Sequence, residues 1–86
     1  MPMTADQIAH AGSILSAAPT VRAAAASLRE AFPGLRAMVV DAADMSAETP
    51  TLTLDQRALY LVSTDGHCWS VTQEPGAASG VILSGV

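Results

Sequence analysis

The sequence is poor in basic residues and has a single cysteine. Lysine is absent, and four arginines stand against eight aspartates and glutamates, so the formal net charge is −4. Binding to a nucleic-acid backbone requires a basic surface, and this charge balance argues against a nucleic-acid partner. One cysteine cannot form an internal disulfide, which excludes a disulfide-stapled secreted scaffold.

Long apolar runs are also missing. No stretch approaches the roughly 20 apolar residues that a membrane-spanning helix needs. Residues 1–6 show neither the basic start nor the apolar run of a signal peptide. The sequence therefore predicts a cytoplasmic protein with no membrane partner.

The chain is short and offers little material for a core. Its 86 residues allow one domain, and half are hydrophobic, but many of these are alanine and only Phe32, Tyr60 and Trp69 are aromatic. A thin core in a short chain is often stabilised by association with a second copy. A homodimer is therefore one expectation.

Two helices are predicted in the first third of the chain. Residues 4–7 form a capping box in which Thr4 begins a helix over about 5–18. Thr20 can cap a second, alanine-rich helix over about 20–32, and Pro33–Gly34 ends it. Both segments carry apolar residues at helical spacing, so each is expected to bury one face.

The rest of the chain predicts a sheet. Short runs rich in β-branched residues indicate strands at about 35–41, 57–64, 67–73 and 80–84, and Thr51–Leu54 is either a short edge strand or the lead into the next strand. Because helices come first and strands follow, we expect an α+β fold with two N-terminal helices on one face of a three- to four-stranded antiparallel sheet.

The dipeptide Asp65–Gly66 favours a two-residue type I′ turn. That turn sets Thr64 opposite His67, and alternation along the two strands then assigns their faces. Leu59 and Leu61 are expected on the face away from the helices, where they would either form part of an interaction surface or be covered by a loop or by the chain's own end. One set of residues is expected beneath the helices as the core: Tyr60, Val62, Trp69 and Val71.

The residues typical of catalysis or metal binding do not combine into a site. His67 and Cys68 are neighbours on a strand and should point to opposite faces, and His10 lies on a distant helix. One cysteine and two histidines are too few for a structural zinc site, although His67 and Asp65 could share a metal with a partner's carboxylate. We expect no catalytic residue, no metal ligand and no cofactor.

Two charged groups are candidates for partner contacts. Asp41, Asp44 and Glu48 lie in one loop whose spacing does not match a calcium-binding loop, so a solvated acidic loop is expected. Arg22 and Arg29 are seven residues apart, about two turns along one helix face. They could bind an anion or the acidic loop of another chain.

The arrangement of residues 32–35 and 58–62 resembles many small bacterial proteins of unassigned function, and this resemblance implies no activity. The leading hypothesis is a non-catalytic interaction or accessory module whose partner is itself or another protein. The alternative is a small-molecule or metal binder with a site between helices and sheet or across a dimer. An enzyme is the third hypothesis, and no motif assigns it a nucleophile, base or cofactor site. The expected interaction surface comprises Leu59, Leu61, Arg22, Arg29, Asp41, Asp44 and Glu48.

Overall fold

The computed structural model describes residues 3–54, 56–64 and 68–85. Within them, two α-helices precede a five-stranded sheet, which confirms the α+β class. A 3₁₀ turn at Pro75–Ala77 precedes the last strand. The elements are α1 (Ala5–Ala17), α2 (Val21–Ala31), β1 (Arg36–Val39), β2 (Leu52–Leu54), β3 (Arg57–Thr64), β4 (Trp69–Thr72) and β5 (Gly80–Ser84).

Both helices begin at the caps that the sequence predicts. The Thr4 hydroxyl accepts the Gln7 N–H at 3.1 Å, and the Gln7 side chain accepts the Thr4 N–H at 2.9 Å, which completes a capping box. Thr20 accepts the Ala23 N–H at 3.1 Å and begins α2 in the same way. Neither helix, nor any other in the described part of the chain, is long and apolar enough to span a bilayer.

The sheet is mixed, so the expectation of a purely antiparallel sheet is wrong. Its order is β1-β5-β3, and the other edge of β3 pairs with β2 along its first half and with β4 along its second half. β3 is antiparallel to its three neighbours, whereas β1 runs parallel to β5. A parallel pair needs a long connection, and the chain supplies one because β2, β3 and β4 all lie between β1 and β5 in sequence.

The two faces of the sheet are the reverse of those expected. Leu59 and Leu61 are fully buried against α1 and α2, so their expected place on an interaction surface is wrong. Both faces of β3 are apolar, and alternation alone does not show which one the helices cover. A second, smaller cluster on the face away from the helices, here called the far face, consists of Met45, Tyr60, Val62 and Ile82.

The loop of the β3–β4 hairpin is also longer than predicted. Thr64 pairs with Trp69 and Val62 with Val71, so four residues separate the paired ends rather than two. Residues 65–67, which include the predicted turn and His67, lie outside the described residues. The register differs from the prediction by two positions, so Val62, Trp69 and Val71 still share a face. That face is the far face.

Two of the described glycines have a positive φ, and substituting each one measures how closely the surrounding backbone packs against it. Gly85 has φ +115°, and an added Cβ would overlap the Gln56 carbonyl oxygen and lie 2.9 Å from Arg57 Cα. Gly34 has φ +92° with nothing within 4 Å of an added Cβ. We expect Gly34→Ala to cost about 1–2 kcal/mol from backbone strain alone, and Gly85→Ala about 2–5 kcal/mol because the clash adds to it.

Urea denaturation followed by circular dichroism would measure both changes, with Gly76→Ala as a control. Gly76 has open space around an added Cβ and no positive φ. Equal losses at Gly34 and Gly85 would contradict the close packing of Gly85 against Gln56.

Candidate functional site

A cleft opens on the far face of the sheet, and we call it the Trp69 cleft. Its volume is about 410 Å³. The floor is apolar and comes from three strands and from one side chain of the β1–β2 connection: Val62, Val71, Ile82 and Met45. The rim carries Trp69 and Ser70 at the start of β4 and the carboxylates Asp44 and Glu48.

The acidic side of the rim is held in place by the sheet. Met45 lies between Asp44 and Glu48 in the sequence. Its side chain is buried and belongs to the far-face cluster. The Met45 carbonyl accepts the Glu48 N–H at 3.0 Å and the Tyr60 hydroxyl at 3.5 Å. Since the connection is anchored at its centre, both carboxylates are presented at fixed places beside the cleft rather than on a free loop.

The connection is tied down a second time where it approaches β2. The Gln73 side-chain amide donates to the Thr49 carbonyl at 2.9 Å, which joins the end of β4 to the end of the acidic segment. Asp41 is exposed at the other end of that segment, and its carbonyl accepts the Asp44 N–H at 3.0 Å. Asp41 is therefore part of the acidic segment, while Asp44 and Glu48 line the cleft.

Trp69 is 38% exposed, so its expected place in the core is wrong. It begins β4 at the edge of the sheet, where it pairs with Thr64 of β3 on one side and no described strand lies on the other. The guanidinium carbon of Arg36 lies 5.6 Å from the ring centroid, within the range of a cation–π contact. The indole ring is thus open to solvent and is already in contact with one cationic group.

Gly80 allows Arg36 and Trp69 to meet although they come from opposite sides of the sheet. In the register, Gly80 pairs with Arg36 on one side and with Val62 on the other. A Cβ added to Gly80 would lie 2.9 Å from the Arg36 carbonyl oxygen and 3.2 Å from Arg36 Cβ. Because glycine has no side chain, the position of Gly80 leaves space on the far face beside the cleft.

The chemistry of the Trp69 cleft suits a cation with an apolar stem. An indole ring attracts ammonium and guanidinium groups, with about 0.5–2 kcal/mol per contact depending on desolvation. Exposed carboxylates add about 0–1 kcal/mol each as ion-pair partners. The apolar floor can contact the methylene groups of an arginine or lysine, because such side chains bury their stems and keep the charge in water.

Arg22 and Arg29 lie on the other side of the molecule. They flank the exposed Val39 beside β1, so the structure separates them from the acidic residues of the expected interaction surface. The residues named from the sequence therefore fall into three places: an acidic cleft, a basic edge and, for Leu59 and Leu61, the core.

The other residues that could act as nucleophiles, bases or metal ligands do not line the cleft. Cys68 is exposed. The His10 ring contacts the edge of Phe32 at 5.4 Å between centroids. Among the described residues no three histidine, cysteine or acidic side chains come together as a metal-ligand set. Asp65 and His67, named for a metal shared across a dimer, lie outside those residues.

Arg36 and Met45 are the contributors to this site that sequence reasoning missed. Met45 had a signal, because it is the one large apolar residue between Asp41 and Thr49 and so had a reason to be buried. Arg36 had none, because its contact with Trp69 depends on which strands lie side by side.

The fold and the cleft define a small α+β domain with a mixed sheet, helices on one face and an acidic, aromatic cleft on the other. The profile of a family of unknown function, DUF6129, matches residues 3–85, and the chain belongs to that family. No curated protein and no solved structure matches the chain significantly.

Proposed function

We propose that this protein is a non-catalytic interaction or accessory module that binds a basic side chain of a partner protein in the Trp69 cleft. The observation that carries the proposal is an exposed tryptophan beside two carboxylates whose backbone is anchored to the sheet. Exposed tryptophans in such positions are frequent hot spots of protein–protein interfaces. The cytoplasm is the proposed compartment, consistent with the single cysteine.

A second candidate is a binder of a small cationic molecule. The cleft volume of about 410 Å³ falls within the range of about 300–1,000 Å³ for ligand pockets. Such pockets usually enclose most of the ligand, however, and the whole rim of this cleft (Asp44, Glu48, Trp69 and Ser70) is exposed. An open rim favours the side chain of a docked protein.

The partner is proposed to be another protein rather than a second copy. In a symmetric dimer the same patch faces itself. Two facing clefts would bring together the Asp44 and Glu48 carboxylates of both copies, and like charges at an interface are unfavourable. A basic partner has the complementary charge, since this chain has a net charge of −4.

The proposal can be tested with a defined probe because Trp69 is the only tryptophan in the chain. Titration with an acetylated and amidated Leu-Arg-Leu peptide should change the Trp69 emission, with an affinity on the order of 1 mM for so small a probe. The same peptide with citrulline in place of arginine has nearly the same shape and no charge. It should bind more weakly, and equal binding of the two peptides would contradict recognition of a cation.

A pair of double variants would identify the carboxylates that matter. Asp44→Asn combined with Glu48→Gln should weaken binding of the arginine peptide about 3- to 10-fold, because two exposed ion pairs are lost. Asp6→Asn combined with Glu30→Gln changes the net charge equally, but at exposed positions on the helices. This control should leave the affinity unchanged, and equal weakening by both pairs would show that only net charge matters.

Native mass spectrometry of untagged protein would distinguish the two candidates. A complex with another protein agrees with an interaction module, and a monomer that retains neither a partner nor a ligand would weaken that hypothesis. A bound small mass that the Asp44→Asn and Glu48→Gln double variant no longer retains would favour the small cationic ligand instead.

A further inference from the structure

The outer edge of β1 carries backbone groups that the sheet does not use. β1 ends the sheet order, and among the described strands it pairs with β5 alone. The Val40 N–H donates to the Leu83 carbonyl at 3.0 Å, so the backbone groups of every second residue point towards β5. Ala37 and Val39 alternate with these residues, and their N–H and C=O groups therefore point to the open edge.

Helix α2 places two guanidinium groups along this edge. Arg29 Nη2 donates to the Ala37 carbonyl at 2.6 Å, which agrees with the outward direction of that carbonyl. Arg22 lies about two turns earlier on the same helix face. Together with Ala25 and Val39, which is 38% exposed, the two arginines line a hollow of about 300 Å³.

We propose that this edge binds an extended acidic segment of a partner protein by strand addition. In an antiparallel addition, Val39, which is 38% exposed, would supply both an N–H donor and a C=O acceptor. Carboxylates of the incoming segment would meet Arg22 and Arg29, where the planar guanidinium favours bidentate pairing. An apolar residue between those carboxylates would cover Val39.

The positive charge beside the β1 edge determines which kind of segment can bind there. Two of the four arginines in a chain with a net charge of −4 flank this edge. A symmetric pairing of two β1 edges would bring the arginine pairs of both copies together, which is unfavourable. The acidic segment of a second copy is also unsuited, because residues 41–48 are held in turns in this fold.

The bond from Arg29 also prepares the edge for such a segment. Edge strands are often protected from unwanted pairing by a nearby charge. Here the guanidinium occupies the Ala37 carbonyl, while Val39 is 38% exposed two residues further along the strand. The charge thus repels a basic segment and orients an acidic one. This inference is independent of the Trp69 cleft, which lies on the far face and has the opposite charge.

A labelled strand-forming peptide tests the proposal. The probe is fluorescein-Glu-Val-Thr-Val-Glu-Thr amide, measured by fluorescence anisotropy, and its control has glutamine at both glutamate positions, which gives the control no cation for the Trp69 cleft. We expect the glutamate peptide to bind about 3- to 10-fold more tightly, and its affinity to fall as salt is raised. Equal binding of the two peptides would overturn the proposal.

Variants locate the binding on the protein. Arg22→Glu should weaken the glutamate peptide at least 10-fold, because an attractive contact becomes repulsive. Asp44→Asn combined with Glu48→Gln should leave this affinity unchanged, so failure here is distinguishable from failure of the Trp69 cleft. An unchanged affinity in Arg22→Glu would overturn the proposal.

Backbone amide shifts give a readout that needs no variant. In an NMR titration with the unlabelled glutamate peptide, the Val39 amide should shift downfield on forming a new hydrogen bond. Shifts confined to Thr53 on the opposite edge strand, or a dimer that excludes the peptide as protein concentration rises, would overturn the assignment to an acidic partner.

Discussion

Leu61→Ala should lower the free energy of unfolding by about 2–5 kcal/mol, the usual cost of removing a fully buried leucine side chain. Leu61 is 0% exposed and lies in the layer between the central strand and the helices. A domain of this size has a total stability of about 5–15 kcal/mol, so this single change would remove a large part of it. Urea denaturation followed by circular dichroism gives the value directly.

Val39→Ala is the control for Leu61→Ala, because Val39 is also a large aliphatic residue on a strand but is 38% exposed. It should change stability by no more than about 0.5 kcal/mol. If Leu61 lay on a solvent-exposed face, as alternation and the predicted turn indicated, its replacement would cost as little as that of Val39. A small loss at Leu61 would therefore contradict the orientation of the sheet described above.

Arg57→Ala should cost about 1.5–3 kcal/mol, since it leaves two part-buried backbone carbonyls without their charged partner. The guanidinium at the start of β3 donates to the carbonyls of Leu15 and Ala18 at 2.6 Å and to that of Pro19 at 3.0 Å. Helix α1 has no basic residue in its own last turn. Arg57, which lies on the sheet, therefore supplies hydrogen bonds to carbonyls at the C-terminal end of α1 and interacts favourably with the helix dipole.

Two further variants separate the hydrogen bonds of Arg57 from its charge. Arg57→Lys keeps the charge but not the planar fork, so an intermediate loss is expected. Arg22→Ala removes an exposed arginine and should change stability by no more than about 0.5 kcal/mol. Thermal and urea unfolding would rank the three proteins, and an Arg57→Ala protein as stable as Arg22→Ala would contradict the proposed role.

The elements that depend on local sequence were predictable. Thr4 and Thr20 cap the helices as expected, because a capping interaction involves residues only three positions apart. The end of α2 before Pro33–Gly34 is local in the same way. The structure of the second half of the chain was harder to predict, since strand partners are distant in sequence and the parallel pairing of β1 with β5 leaves no local signal.

The candidate site was predictable in part, for the same reason. Asp44, Glu48, Arg22 and Arg29 were identified as charged groups, but only the fold shows that they form two separate surfaces of opposite charge. Leu59 and Leu61 were assigned to the wrong face because the other side of β3 is equally apolar. The exposure of Trp69 follows from its place at the start of an edge strand, which its sequence neighbours do not reveal.

The position of β5 has a consequence for how this domain folds. β5 is the last described strand in sequence, yet it lies between β1 and β3 in the sheet. The antiparallel pairs β2–β3 and β3–β4 can form early from neighbouring segments, but β1 pairs with no other described strand until residues 80–84 are in place. We expect the rate-limiting event to be this long loop closure, with the helices and these two antiparallel pairs forming before it.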